Sequence, residues 1–270
     1  MNILIICGEV SANLYAVSLA KSCSKVEHQV YSFGDHNLAK VSTQLLSIDS
    51  TSHSVGYGKS NHKKILLSNI RSALQESTIV FDRIVIVDFP GYNFQISKFI
   101  TPLKVPIITF ITPNFWMWNQ KKLGQRLADY SHRIIPIFEK EHAFYSKFNP
   151  ESTHYLGHPL TLSHLSSYHV SSNEPYIGLF PGSRRSEIND HLPVFCQLIS
   201  QIASLKASFS IFCSQTQLHP QIQTILDANN LGSIPIKSDI EPITFAITAP
   251  GTNTLRLALQ SIPMIIIGQL

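Results

Sequence analysis

Charge is scarce in this chain: Asp, Glu, Lys and Arg make up 14% of its 270 residues. No dense Lys/Arg run occurs, which argues against a nucleic-acid arm. No apolar stretch reaches the ~18 residues that a membrane span needs. The start, MNILIICGEV, lacks the basic n-region and long apolar core of a signal peptide and reads as a strand. The turn after that strand is not GxGxxG, so the dinucleotide fingerprint is absent. The 4 cysteines, Cys7, Cys23, Cys196 and Cys213, form neither a CxxC pair nor a zinc-type spacing. Buried free thiols in a reducing compartment account for them. These absences together predict a cytoplasmic protein.

The residues that are present are apolar and periodic. Apolar residues make up 44% of the chain, enough for sizeable cores, and the formal charge of +4 suits an anionic ligand or an anionic membrane surface. Short runs rich in Ile, Val and Phe (2–7, 29–33, 83–87, 106–111 and 133–138) alternate with helical-period stretches, of which 61–76 is the clearest. Nearly continuous apolar strands alternating with helices predict a parallel sheet covered on both faces. Residues 160–175, rich in Ser and His and closing on Asn, Glu and Pro, read as a linker. After it the alternation restarts with strands near 176–180, 208–213, 233–237, 243–248 and 262–267. The expected fold is therefore α/β, with two Rossmann-like, doubly wound parallel-sheet domains at 1–159 and 176–270. Ligands of such sheets bind at the carboxyl ends of the strands, here in a cleft between the halves. The second domain reads as incomplete, since the sequence stops at PMIIIGQL, just past a strand.

The polar motifs sit at those strand ends. In CGEVSANL (7–14), Gly8 allows a tight turn, Ser11 can cap the following helix, and Glu9 puts a carboxylate at the sheet edge. In VIVDFPGYN (85–93), Asp88 comes after four apolar residues, where partial desolvation raises proton affinity and suits a general base. The competing reading is an Asp that caps the next helix. Asn93 can fix a sugar hydroxyl or a backbone group. In FITPNFWMWNQKK (110–122), Phe115, Trp116, Met117 and Trp118 precede Lys121 and Lys122, a mix that holds acyl chains under anionic head groups or simply packs a core. His158 of YLGHP lies at the hinge. In FPGSRRSE (180–187), Gly182, Ser183 and Arg184 form a turn into a helix that can hold an anion; an ordinary turn with solvated arginines is the alternative. Gly251, Thr252 and Asn253 of TAPGTNTLRLAL (248–259) form a second such turn, and two are what a nucleotide diphosphate needs.

Taken in order, these segments resemble lipid-A-disaccharide synthase, a glycosyltransferase family of the two-domain GT-B fold. GEVSAN stands for GExSGD, DFPGYN for Asp-x-Pro-x-Phe-Asn, TPNFWMWNQKK for Pro-Ser-x-Trp-Ala-Trp-x-x-Lys, LGHP for IGH, FPGSR for LPGSR, and PGTNTLR for SGTAALE. The resemblance implies an inverting transfer that joins UDP-2,3-diacylglucosamine to 2,3-diacylglucosamine 1-phosphate (lipid X), releasing UDP and a β-1,6-linked disaccharide. It makes Asp88 the base for the acceptor 6-hydroxyl. It assigns UDP to Gly182, Ser183, Arg184, Gly251, Thr252 and Asn253. Acceptor and acyl chains fall to Glu9, Ser11, Asn93, Phe115, Trp116, Trp118, Lys122 and His158. It implies no cofactor or metal, and an enzyme peripherally associated with the inner membrane.

Four positions depart from the family pattern. Ala12 and Asn13 replace the Gly-Asp of GExSGD, Lys59 stands where a glutamate is expected, and Arg256 replaces the glutamate after GTAAL. A catalytically impaired relative that binds lipid or nucleotide, and a nucleotide-sugar epimerase of the same fold, are the alternative readings.

Overall fold

The computed structural model describes residues 1–48, 60–89, 91–162, 174–202 and 206–268. Lys59 and most of the expected linker lie outside them. The chain divides into two units, Met1–Pro159 and Leu160–Leu270.

The first unit opens with β1 (Asn2–Cys7), α1 (Val10–Lys25), β2 (Gln29–Gly34), α2 (His36–Ala39) and β3 (Thr43–Ser47). It continues through α3 (Ser60–Glu76), β4 (Arg83–Val87), α4 (Asn93–Ile100) and β5 (Ile107–Phe110) to α5 (Lys121–Tyr130), β6 (Arg133–Ile135) and α6 (Glu139–Tyr145). The strands form one parallel sheet in the order β3-β2-β1-β4-β5-β6. Its core joins Leu4 and Ile6 of β1, Ile84 and Ile86 of β4, and Ile96 and Ile100 of α4 to Leu66, Ile70 and Leu74 of α3. The three α3 residues recur every fourth position, so they share one helix face. Burial of each such side chain stabilises the fold by roughly 1.5–3 kcal/mol relative to exposure. β6 is shorter than the expected 133–138, because Pro136 carries no N–H to continue the ladder.

The second unit contains β7 (Tyr176–Phe180), α7 (Arg185–Gln201), β8 (Ser208–Phe212), α8 (His219–Ala228), β9 (Ile236–Lys237), β10 (Phe245–Thr248), α9 (Thr252–Leu259) and β11 (Met264–Ile266). Its sheet is also parallel, in the order β11-β10-β7-β8-β9. In each sheet the strand order reverses once, between β1 and β4 in the first and between β7 and β10 in the second. Loops leaving adjacent strands part in opposite directions there and open a crevice.

Two sequence expectations require correction here. Ser11 does not cap α1: the helix starts at Val10 with Glu9 as its N-cap residue, and no side chain closes a capping bond. Gly8 serves close packing rather than a tight turn, since a Cβ on it would lie 2.1 Å from the Phe89 ring.

Candidate functional site

The switch point of the first sheet gathers Glu9 and Asp88. Cys7 of β1 pairs with Val87 of β4, so the residues just beyond leave the sheet side by side. Glu9 is buried at the start of α1, where the helix dipole favours its negative charge. Asp88 donates its backbone N–H to the Phe110 carbonyl at 3.0 Å, and its φ is +34°. Such a conformation costs a non-glycine residue about 1 kcal/mol and is retained where the surroundings enforce it. Asp88 does not cap α4, whose N-cap position belongs to Tyr92. Phe89 is fully buried beside Gly8 and stacks on Tyr92 at 4.5 Å, which fixes the chain on the far side of Asp88. Burial first, and the Glu9 charge second, push the Tyr92 phenol above its ordinary value.

Asn93, the first residue of α4, is 2% exposed, yet neither its Oδ1 nor its Nδ2 has a hydrogen-bond partner. Asn13 Oδ1, one turn into α1, is buried and unpartnered as well. A buried polar group left unsatisfied costs about 1–3 kcal/mol. Ser11 lies in the first turn of α1, half-buried.

The aromatic segment divides in two. Phe115 and Trp116 pack against a core cluster of α5 and α6 residues, with Phe115 stacked on Phe94. Met117 and Trp118 project outward, Trp118 at 74% exposure. The dense apolar cluster expected from the sequence is thus half core and half surface. Glu141 of α6 secures the turn that leads into its own helix. Its buried carboxylate accepts the Ile137 and Phe138 N–H groups at 3.0 and 3.2 Å. Burial pushes its proton affinity up, while those two N–H groups, then Trp116 and Thr112, offset part of the rise. Neither Trp116 Nε1 nor Thr112 Oγ1 closes a hydrogen bond of ordinary geometry, so the two backbone donors are the firm contacts. Tyr145 OH donates to the Pro113 carbonyl at 2.8 Å. An open cavity of about 520 Å³ is lined by Trp116, Phe138, Glu139, Lys140 and Tyr155. Lys122 is exposed in the first turn of α5. His158 lies between the rings of Tyr15 and Phe138, at 5.8 and 5.4 Å, and burial lowers its pKa.

The switch point of the second sheet carries the other two turns, 181–184 after β7 and 249–252 after β10. Gly182 has φ +121°. The Glu187 carboxylate accepts the N–H groups of Ser183 at 2.8 Å and Arg184 at 3.2 Å through Oε2, and its Oε1 accepts from the Arg184 guanidinium at 2.8 Å. The turn read from the sequence as an anion cradle therefore holds an anion supplied by the chain itself. Gly251 is the N-cap residue of α9, with Thr252 and Asn253 half-exposed in its first turn. Arg256 lies farther along the same helix, with a buried Nε that has no partner.

Among the described residues no three His, Cys, Asp or Glu side chains converge as metal ligands. No helix among them is long and apolar enough to cross a membrane.

Solved structures place this architecture. UDP-GlcNAc 2-epimerase from Neisseria meningitidis bound to UDP-GlcNAc superposes with a TM-score of 0.65 at 13% identity, over 98% of this chain and 82% of that one. The S. aureus MnaA-UDP co-structure matches equally well, with a TM-score of 0.65 at 12% identity over 98% and 79%. The fold is thus of the two-domain GT-B type. Sequence comparison then narrows the class: residues 3–270 match LpxB, Lipid-A-disaccharide synthetase, and the chain belongs to that family. Lipid-A-disaccharide synthase of Coxiella burnetii (strain RSA 331 / Henzerling II) is 26% identical over 98% of this chain and 74% of its own length. Lipid-A-disaccharide synthase 1 of Legionella pneumophila (strain Lens) is 28% identical over the same shares, and the Synechocystis enzyme 28% over 99% and 75%.

Proposed function

We propose that this chain transfers a 2,3-diacylglucosamine unit from UDP to the 6-hydroxyl of 2,3-diacylglucosamine 1-phosphate. Asp88 takes the hydroxyl proton as the acceptor oxygen attacks the anomeric carbon of the donor. The bond from that carbon to the phosphate oxygen breaks, its electron pair leaves with UDP, and the configuration inverts to a β-1,6 link. Charge developing on the diphosphate is stabilised by the helix N-termini at 181–184 and 251–253 and by Arg184. Asn93, with Glu9 and Ser11, meets the acceptor sugar. Met117 and Trp118 meet its acyl chains at the inner-membrane surface, Phe115 and Trp116 hold that segment to the core, and Lys122 and His158 serve the polar part of the lipid.

The observation that carries this reading is the combination at one switch point of Asp88, in a left-handed conformation, with the unpartnered, buried Asn93 amide. A sugar hydroxyl both donates and accepts, which is what that amide lacks. Family membership and the exposed Met117 and Trp118 support the lipid substrates. In the test, purified chain receives both acylated sugars, and UDP and disaccharide 1-phosphate are measured. Product from the wild type and about 10²–10⁴-fold less from Asp88→Asn is expected; no product and no UDP binding would defeat the reading.

Arg256, standing where the family carries a glutamate, favours a second reading, binding without turnover. Catalysis that depends on Asp88 excludes it.

A further inference from the structure

Resting on that reading, we propose that Lys63, with the Gly91 turn, seats a phosphate monoester on the acceptor sugar. Lys63 belongs to the first turn of α3, which carries no acidic residue. Its Nζ lies 5.2 Å over the centre of the Tyr92 ring. A Cβ built on Gly91 would sit 3.9 Å from the same ammonium. Tyr92 is in turn stacked on Phe89, which is locked against Gly8. A positive charge is thus held by an aromatic wall at the turn that directly succeeds Asp88.

No ion pair among the described residues, Arg184–Glu187 and Lys237–Glu241, includes Lys63. A tyrosine face attracts an exposed ammonium by only about 0.5–1 kcal/mol, well short of what an anionic partner provides. Gly91, exposed and at φ +79°, leaves the backbone open to a bulky tetrahedral group.

Substrate chemistry selects the anion. The acceptor carries its phosphate on C1 and its reacting hydroxyl on C6. C1 and C5 are the two ring neighbours of the ring oxygen and C6 is carried by C5, so the phosphate and the 6-hydroxyl both leave the ring on its oxygen edge. Anchoring the phosphate beside Gly91 therefore turns the 6-hydroxyl toward Asp88, three residues earlier in the chain. A sugar without the phosphate loses this handle, so Lys63 sets both affinity and orientation.

The test is equilibrium binding to the full chain of three probes: detergent-dispersed 2,3-diacylglucosamine 1-phosphate, its 1-dephosphorylated counterpart, and inorganic phosphate. The wild type should prefer the phosphorylated sugar by about tenfold or more, the equivalent of one charge-assisted contact. Lys63→Met, which keeps the apolar stem over Tyr92, should abolish the preference, and Lys63→Arg should retain it. The proposal is overturned by an unchanged preference in Lys63→Met, by an equal loss for both sugars, or by inorganic phosphate binding as tightly as the sugar phosphate. Turnover is measured separately. Lost preference in a chain that makes no disaccharide supports the phosphate seat while sinking the transferase, whereas turnover with no preference sinks the seat alone.

Discussion

The turns at the two switch points handle their polar groups in opposite ways. After β4, the Asn93 amide is buried with both of its polar atoms unpartnered, and Lys63 stands over Tyr92 without a carboxylate. After β7, the corresponding donors are already engaged, because Glu187 accepts from two backbone N–H groups and from the Arg184 guanidinium. An unsatisfied site carries a cost in the free protein that a ligand removes on binding. A self-satisfied site is stable when empty, and an incoming anion gains only the difference between its own contacts and those of the carboxylate. On the proposed function, the first arrangement suits a sugar that offers hydroxyls to the amide and an anion to Lys63. On the same reading, the second would temper affinity for a diphosphate that must later depart.

The largest expected effect tests the chemistry of the first turn. Asp88→Asn keeps the shape and removes the base, so transfer should fall by about 10²–10⁴-fold while UDP binding, measured by calorimetry, stays as in the wild type. Equal loss of both would show that Asp88 holds the fold rather than the proton. Next come the glycines of the two turns. Gly182→Ala meets both a positive φ and a Glu187 side chain 2.6 Å from the new Cβ, and should cost about 1–3 kcal/mol in urea unfolding. Gly91→Ala meets only the positive φ and the end of a flexible lysine, and should cost about 1 kcal/mol. A reversed ranking would break the contrast between a filled turn and an open one.

Much of this was legible in the sequence where chemistry is local. Continuous apolar runs mark β1, β4, β7 and β10, because strands buried on both faces admit little else, and the acids and glycines at their ends mark the turns. β3 escaped notice because TQLLS is a partly exposed edge strand with no alternation to betray it. Ser11 misled because its residue type suits a cap, while the helix begins a residue earlier and leaves it in the first turn. Glu187 sat in plain view three residues beyond Arg184, the spacing at which an acid reaches back to a helix start, and that pattern could have been read. Lys63 over Tyr92 could not, since the tertiary fold joins a residue of α3 to the turn before α4. Glu141, three residues beyond Phe138, repeats the Glu187 pattern and could have been read in the same way.

Asn93→Leu sharpens the comparison from the other side. If the amide is kept for a ligand, replacing it with an apolar group of similar size should raise stability by about 1 kcal/mol and weaken acceptor binding about tenfold. Denaturant unfolding and acceptor titration read the two effects independently. Loss of stability would mean that the amide is satisfied in solution, and the first turn would then be no more open than the second.

The smallest effect concerns the carboxylate in the second turn. Glu187→Gln retains an oxygen for the Ser183 and Arg184 N–H groups and releases the guanidinium from its ion pair. Both partners of that pair are about one-third exposed, at 32% and 29%, so its loss should cost less than about 1 kcal/mol of stability. Glu187 then no longer competes for the Arg184 guanidinium, and the turn repels a diphosphate less. UDP affinity should therefore rise about threefold, a gain of roughly 0.6 kcal/mol by the usual conversion of affinity to free energy. Calorimetric titration with UDP at low and at moderate salt tests this, because the gain is electrostatic and should shrink as salt screens it. Weaker UDP binding in Glu187→Gln would mean that the carboxylate orients Arg184 for the ligand rather than competing with it, and the two turns would then differ in residues but not in principle.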